Sequence, residues 1–247
     1  MALCLFVFSA LRLQAQSVPS AEQQRILDLT NQARAQQGLP PLEWDASLAA
    51  AAQTHAQHML DAHTLSHQLA GEPDLVVRAG QAGAHFRAVA ENVAMAGSLD
   101  GLQSAWMKSP LHRANILDPR MDHIGVGLVE RDGYWYGAVV FDSAVASLGP
   151  AQIEQQLATL LRQRGISQFR PPDAARKDCA LEAGDVSGTR PRFIMRWEST
   201  SLNRLPSVLE QRLQSGRYTA ASIGACPEAG QQNNQGFTTY QVAVLLY

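Results

Sequence analysis

The chain has 247 residues, 46% of them hydrophobic and 17% charged, which supplies a packed core and argues against a largely disordered protein. At about 100–200 residues per domain, this length holds one large domain or two modest ones. The formal net charge of −2, with no run of Lys and Arg, gives neither the electrostatic footprint of a nucleic-acid binder nor a basic membrane-surface helix.

Residues 2–11 (Ala-Leu-Cys-Leu-Phe-Val-Phe-Ser-Ala-Leu) form an apolar run of signal-peptide length, shorter than the ~20 residues that cross a bilayer. Ala15 offers a small residue for cleavage, so residues 1–16 read as a signal peptide, and the mature chain carries no transmembrane span. The basic n-region is missing, so the natural start is expected upstream of Met1. The competing reading, an N-terminal core helix, has neither a cap nor an amphipathic stripe. Cleavage removes Cys4 and leaves Cys179 and Cys226. In an exported chain two cysteines read as one disulfide, whereas two buried thiols would suit a cytosolic protein. Their spacing is not that of a CxxC redox or zinc motif.

Ser20 and Gln23 form a capping-box start for a helix carrying Ile26, Leu29 and Ala33, which Gly38 stops. Asp45 can cap an alanine-rich helix with Leu48, Ala52, His55 and Met59 along one side. Residues 71–89 read as a long connection. Ser98 can cap a helix with Leu102, Ala105 and Trp106, and Ser109-Pro110 restarts a helical turn. Two apolar runs, residues 124–129 and 134–141, flank Asp132-Gly133, a strong hairpin signal because both residues tolerate positive φ. Ser147-Leu148-Gly149-Pro150 punctuates the chain. Beyond it, Ile153, Leu157, Leu160 and Leu161 mark a helix, residues 166–191 read as mostly irregular, and Phe193, Met195 and Trp197 alternate as a strand. Leu205, Leu209 and Leu213 suggest another helix, and Tyr240, Val242, Val244 and Leu246 a last strand. No internal repeat is evident.

The motifs lie in the first half, in the order Ser66-His67, Ala90-Glu91-Asn92-Val93-Ala94, Trp106-Met107-Lys108-Ser109-Pro110-Leu111-His112-Arg113-Ala114-Asn115-Ile116-Leu117 and Ile124-Gly125-Val126-Gly127. This order resembles the bacterial branch of the CAP superfamily, also called SCP, which groups cysteine-rich secretory proteins, antigen 5 and pathogenesis-related 1 proteins. The resemblance covers residues 21–145. It implies an α/β fold, a three-layer α–β–α sandwich over residues 20–147; the helix and strand patterns beyond Pro150 add a smaller α+β unit over residues 151–247, whose role the resemblance does not address. It also implies a cleft lined by two histidines and two acidic residues, in which the histidines of some members hold a divalent metal. His67, Glu91 and His112 fall on the motifs, and Glu72, five residues after His67, is the candidate second acid by position.

Two neutral imidazoles suit zinc or a similar ion, weakly bound, with carboxylates ligating it or orienting the rings. Such binding falls as the imidazoles protonate, near their ordinary value of about 6.5. No HExxH helix or nucleophile-elbow serine is present. Asn92, Arg113 and Asn115 are supporting residues, with Asn92 and Arg113 expected to fix loops. His55, His58 and His63 read as solvated or packed histidines rather than a second metal site.

Three functions fit. The first is a secreted or periplasmic protein whose cleft binds a divalent metal, a small ligand or a cell-envelope component without turnover. The second is a metal-assisted hydrolase of peptide or cell-wall substrates with Glu91 as candidate general base. The third is a lipid or sterol carrier. The first is preferred, because fold resemblance alone does not make an enzyme.

Overall fold

The computed structural model describes residues 18–179, 181, 183–185, 187–226 and 237–247; the expected signal peptide, residues 1–16, lies outside them. Ser20 begins α1 (Ala21–Ala35) through the expected reciprocal capping box with Gln23. Ile26 and Ala33 face the core, with Leu27 and Thr30 fully packed where Leu29 was expected. A short β1 (Glu43–Trp44) leads through the Asp45 cap into α2 (Ala46–Asp61). The stretch expected as one long connection contains α3 (Leu75–Gln81), capped by Asp74, and the start of β2 (Phe86–Ala96). Ser98 caps α4 (Leu99–Lys108), and α5 (Pro110–Ile116) follows with proline at its first turn. The hairpin of β3 (His123–Arg131) and β4 (Tyr134–Ala144) turns at Asp132 and Gly133, with φ of +54° and +79°.

These strands form one sheet in the order β1-β3-β4-β2, with β1 parallel to β3 and the other pairs antiparallel. Strand alternation sends Ile124, Val126, Val139 and Phe141 to a face covered by α1, α4 and α5. It sends Ala138, Val140 and Val93 to the opposite face, under α2 and α3. The result is a three-layer α–β–α sandwich. Gly125 and Gly127 allow α2 to lie directly on β3. A Cβ there would come within 2.1 Å of the Ala49 nitrogen and of the Ala52 carbonyl carbon, respectively. The buried Arg34 guanidinium donates to the carbonyls of Pro40, Ile116, Asp118 and Met121, and so fixes the loop that enters β3.

The chain continues as α6 (Pro150–Arg162), β5 (Gln168–Phe169), α7 (Asp173–Cys179), β6 (Phe193–Ser199), α8 (Ser207–Gln214), β7 (Ala220–Ala225) and β8 (Tyr240–Leu246). Thus β5 and α7 occupy a region expected to be irregular, and β7 is a further strand. Their sheet has the order β5-β7-β8-β6, with β5 parallel to β7 and the other pairs antiparallel. This is the order and direction of the first sheet, strand for strand. The layers repeat too, with α6 and α8 on one face and α7 on the other. Gly224 lets α7 approach β7 as Gly127 lets α2 approach β3, since its Cβ would meet the Ala175 carbonyl carbon at 2.4 Å. The C-terminal turns of α1 and α6 match as well. Leu39 N–H bonds to Arg34 O and Ile166 N–H to Leu161 O, each across a left-handed glycine, Gly38 or Gly165. The repeat is therefore one of backbone architecture. It escaped the sequence because the corresponding side chains differ. The expected disulfide joins Cys179 on α7 to Cys226 just past β7.

Candidate functional site

β2 is an edge strand, and here both helical layers reach the same rim of the sheet. Successive residues of β2 point to opposite faces. Glu91, like Val93, faces the α2 side, while Asn92 faces α5, donates to the His112 carbonyl at 2.9 Å and accepts from Asn115 at 2.9 Å. Asn115 also donates to the Glu91 carbonyl at 3.2 Å. These two asparagines tie α5, and with it His112, to the strand carrying Glu91. Arg113 is exposed and has no part in this tie.

His67 comes from the loop between α2 and α3. Its Nδ1 lies 3.0 Å from Glu91 Oε1, and its ring centroid lies 5.8 Å from that of His112, tilted by 58°. The sequence motifs therefore converge on one place, with His67 about half exposed and Glu91 buried behind it. Burial, reinforced by the neighbouring His67, holds His112 below the ordinary histidine value and favours the neutral ring.

Glu72 lies deeper than a cleft-rim residue. Its side chain is 4% exposed, and its carboxylate faces His55 Nδ1 at 2.8 Å, His58 Nδ1 at 3.0 Å and Arg78 at 3.5 Å. Burial pushes this carboxyl up, but hydrogen bonds from His55 and His58 and the charge of Arg78 outweigh it, leaving the group below its usual value. Glu91 Oε2 accepts from Arg78 at 2.5 Å. His55 is fully buried between the two acids. Its Nδ1 meets Glu72, and its Nε2 meets the Ser66 carbonyl at 2.9 Å and lies 3.8 Å from Glu91. Both ring nitrogens face oxygen atoms.

Two members of this network were not legible as site residues. His55 looked like one of several histidines on an alanine-rich helix. Arg78 sits on α3, a helix the sequence did not suggest, although Asp74 was available as its cap. Together they form a buried layer behind the cleft that holds both acids and, through Ser66 and His67, the loop bearing the outer imidazole.

Residues 27–143 match the family model "CAP: Cysteine-rich secretory protein family". The Bacillus subtilis (strain 168) protein YkwD, described as uncharacterized, is 36% identical over 124 residues, which are 49% of this chain and 48% of the relative. The uncharacterized membrane protein YlbC of the same organism is 33% identical over 119 residues, 47% of this chain and 34% of that one. The chain thus spans about half or less of the curated relatives it matches. Among solved structures, an extracellular SCP-domain protein of Bacillus anthracis str. Ames is 29% identical, with a TM-score of 0.46, over 49% of this chain and 40% of that one. The segment carrying the His67, Glu91 and His112 motifs, residues 27–143, belongs to the CAP family of cysteine-rich secretory proteins.

Proposed function

We propose that this is an exported CAP protein whose cleft between His67 and His112 holds a divalent metal or a small ligand without turning it over. The observation that carries the reading is the pair of imidazoles 5.8 Å apart, one of them held through Nδ1 by a buried carboxylate. That bond leaves Nε2 of His67 available, and a carboxylate behind a histidine is the usual way to fix the orientation and basicity of a ligating ring. The donor set fits zinc, with two imidazoles in place and the remaining positions left to water or ligand. A bound ion would supply Lewis acidity to whatever occupies those positions. Asn92 and Asn115 position His112, and the layer of His55, Glu72 and Arg78 holds Glu91 in place.

The hydrolase alternative draws no support from Glu91. A general base needs an oxygen facing water, and both oxygens of Glu91 are engaged in a side chain that is 3% exposed. The disulfide supports export, since such bonds persist in oxidising compartments. No helix among the described residues is long and apolar enough to cross a membrane.

Calorimetric titration with zinc tests the reading. The wild-type chain at pH 7.5 is expected to bind one more ion than a His67→Ala/His112→Ala variant, with the difference weakening at least tenfold at pH 5.5, where protons compete for the same nitrogens. Equal stoichiometry and affinity in the two proteins would overturn it.

A further inference from the structure

A separate group of metal-type donors lies at the entrance to β3 and shares no residue with the His67 cleft. His123 pairs directly with Asp142 across β3 and β4, so both side chains leave the same face of the sheet. Asp122 precedes His123, and its Oδ1 lies 2.7 Å from His123 Nδ1, with Asp142 Oδ1 3.7 Å from the same nitrogen. One donor atom from each of the three residues lies within 4.8 Å of the others.

Asp142 is the informative member. Its side chain is 2% exposed, and its Oδ1 has no hydrogen-bond partner among the described residues. A buried carboxylate costs several kcal/mol unless it is protonated or its charge is balanced. Around the single imidazole stand Glu43, 3.9 Å from Nε2, together with Asp45, Asp122 and Asp142. Four carboxyl groups thus stand around one imidazole. The protein has gathered negative charge and a nitrogen donor, and has left one buried oxygen unused.

We propose that Asp122, His123 and Asp142 form a second divalent-cation site, with zinc as its first candidate ion. One imidazole with two carboxylates suits a borderline ion better than calcium or magnesium, which take oxygen donors. Three protein donors leave coordination positions for water or an outside ligand. Asp122 and His123 line a cavity of about 650 Å³ together with Pro40, Glu43, Arg87 and Arg120. An anionic ligand on the ion would meet those two arginines in the same cavity.

The test uses the full chain with His67→Ala/His112→Ala as background, so that failure of the cleft reading and failure of this one are separable. Zinc titration at pH 7.5 is expected to show one remaining ion per chain, and zinc should raise the melting temperature. Adding His123→Ala or Asp142→Asn should each weaken that binding at least tenfold and abolish the thermal shift. In metal-free buffer the Asp142→Asn chain should melt no lower than its background, because it no longer buries an unpartnered carboxylate. Loss of zinc in that variant then reports the site rather than the fold. A background protein that binds no zinc, or variants that retain its affinity, would overturn the proposal.

Discussion

Glu91 joins the outer imidazole to the buried layer, and Glu91→Gln tests both connections without changing side-chain volume. The wild-type carboxylate accepts from Arg78 at 2.5 Å and faces His67 at 3.0 Å, all but His67 being buried. Removing one partner of a buried ion pair costs about 3–5 kcal/mol, because the other charge stays buried. Here the lower end applies, since the amide oxygen can still accept one bond and Glu72 remains 3.5 Å from Arg78. A loss of about 3 kcal/mol in a chain of this size lowers the melting temperature by about 6–12 °C. If Glu91 also orients His67 for a metal, cleft affinity should fall about 10–100-fold. Glu72→Gln supplies the contrast, because Glu72 holds His55, His58 and Arg78 without touching His67. It should destabilise the chain comparably and leave cleft zinc affinity within about threefold of wild type, far from the loss of an orienting partner. Melts and zinc titrations of the two variants decide the matter. A Glu91→Gln protein that melts within about 2 °C of wild type and keeps its zinc affinity would refute the reasoning, as that shift corresponds to under about 1 kcal/mol.

Asp142 gives a pH dependence of stability in chelator-treated protein. Its folded value of about 7 lies above the ordinary 3.8, so the native state keeps a proton that the unfolded chain releases. Stability should therefore fall as pH rises from about 4 to about 7 and level off above, by at most about 4 kcal/mol, and urea titrations of Asp142→Asn should lack that slope. Gly127→Ala should cost about 3 kcal/mol or more by urea unfolding, because its Cβ would lie 2.1 Å from the backbone of α2. Gly38→Ala, with φ of +69° and nothing within 4 Å, should cost only about 1–2 kcal/mol of backbone strain. A fragment of residues 18–147 is expected to fold and keep cleft zinc binding while melting lower than the full chain. It loses the Phe237 ring against Phe86, the Thr238 N–H bond to the Phe86 carbonyl and the Tyr240 hydroxyl bond to Ala146. Aggregated or unfolded fragment would show that the first sheet does not stand alone.

Legibility in the sequence followed the range of the interaction. Caps and turns are local, so Ser20 with Gln23, Asp45, Ser98 and Asp132-Gly133 all announced themselves and do what they announced. α3 and α7 have seven residues each, below the length at which apolar periodicity becomes visible, and tertiary contacts hold them. For α7 these include the close approach over Gly224 and the bond from Cys179. Within the candidate site, His67, Glu91 and His112 sit in distinctive motifs and could be read. The role of His55 depends on the loop at Ser66 folding back over α2, and that of Arg78 on a helix hidden in a glycine-containing stretch. Neither relation exists until the chain is folded. The Asp122, His123 and Asp142 group joins residues from two strands, and adjacency of Asp122 to His123 alone gave no signal.

The repeated architecture supplies an internal control for these polar residues. Strand register aligns β3 with β7 and β4 with β8, since Glu43 pairs with His123 as Gln168 pairs with Ala220, and Gly127 with Ala138 as Gly224 with Ala243. Glu91 faces Val140 across β2 and β4, and the matching partner of Leu245 is Ile194. The position of His123 is taken by Ala220 and that of Asp142 by Tyr247. Leu161 stands where Arg34 does, and the Cys179–Cys226 bond links positions that Ala56 and Val129 fill in the first sheet with apolar packing. At these positions the first sheet carries carboxylates, an imidazole and a guanidinium where the second carries aliphatic side chains, an aromatic ring and a disulfide; the second unit keeps one buried carboxylate, Asp178, at the position of His55 and 3.8 Å from Arg196. Ionic groups buried at such positions lower stability relative to well-packed apolar ones. The backbone architecture does not require a charged group at the positions of Glu91, His123, Asp142 and Arg34, which the second unit fills with Ile194, Ala220, Tyr247 and Leu161, so their presence in the first calls for another cause. The binding proposed for the His67 cleft and for the Asp122, His123 and Asp142 group would supply one for both clusters, while Arg34 has its own in the loop carbonyls that it holds in place at the mouth of β3.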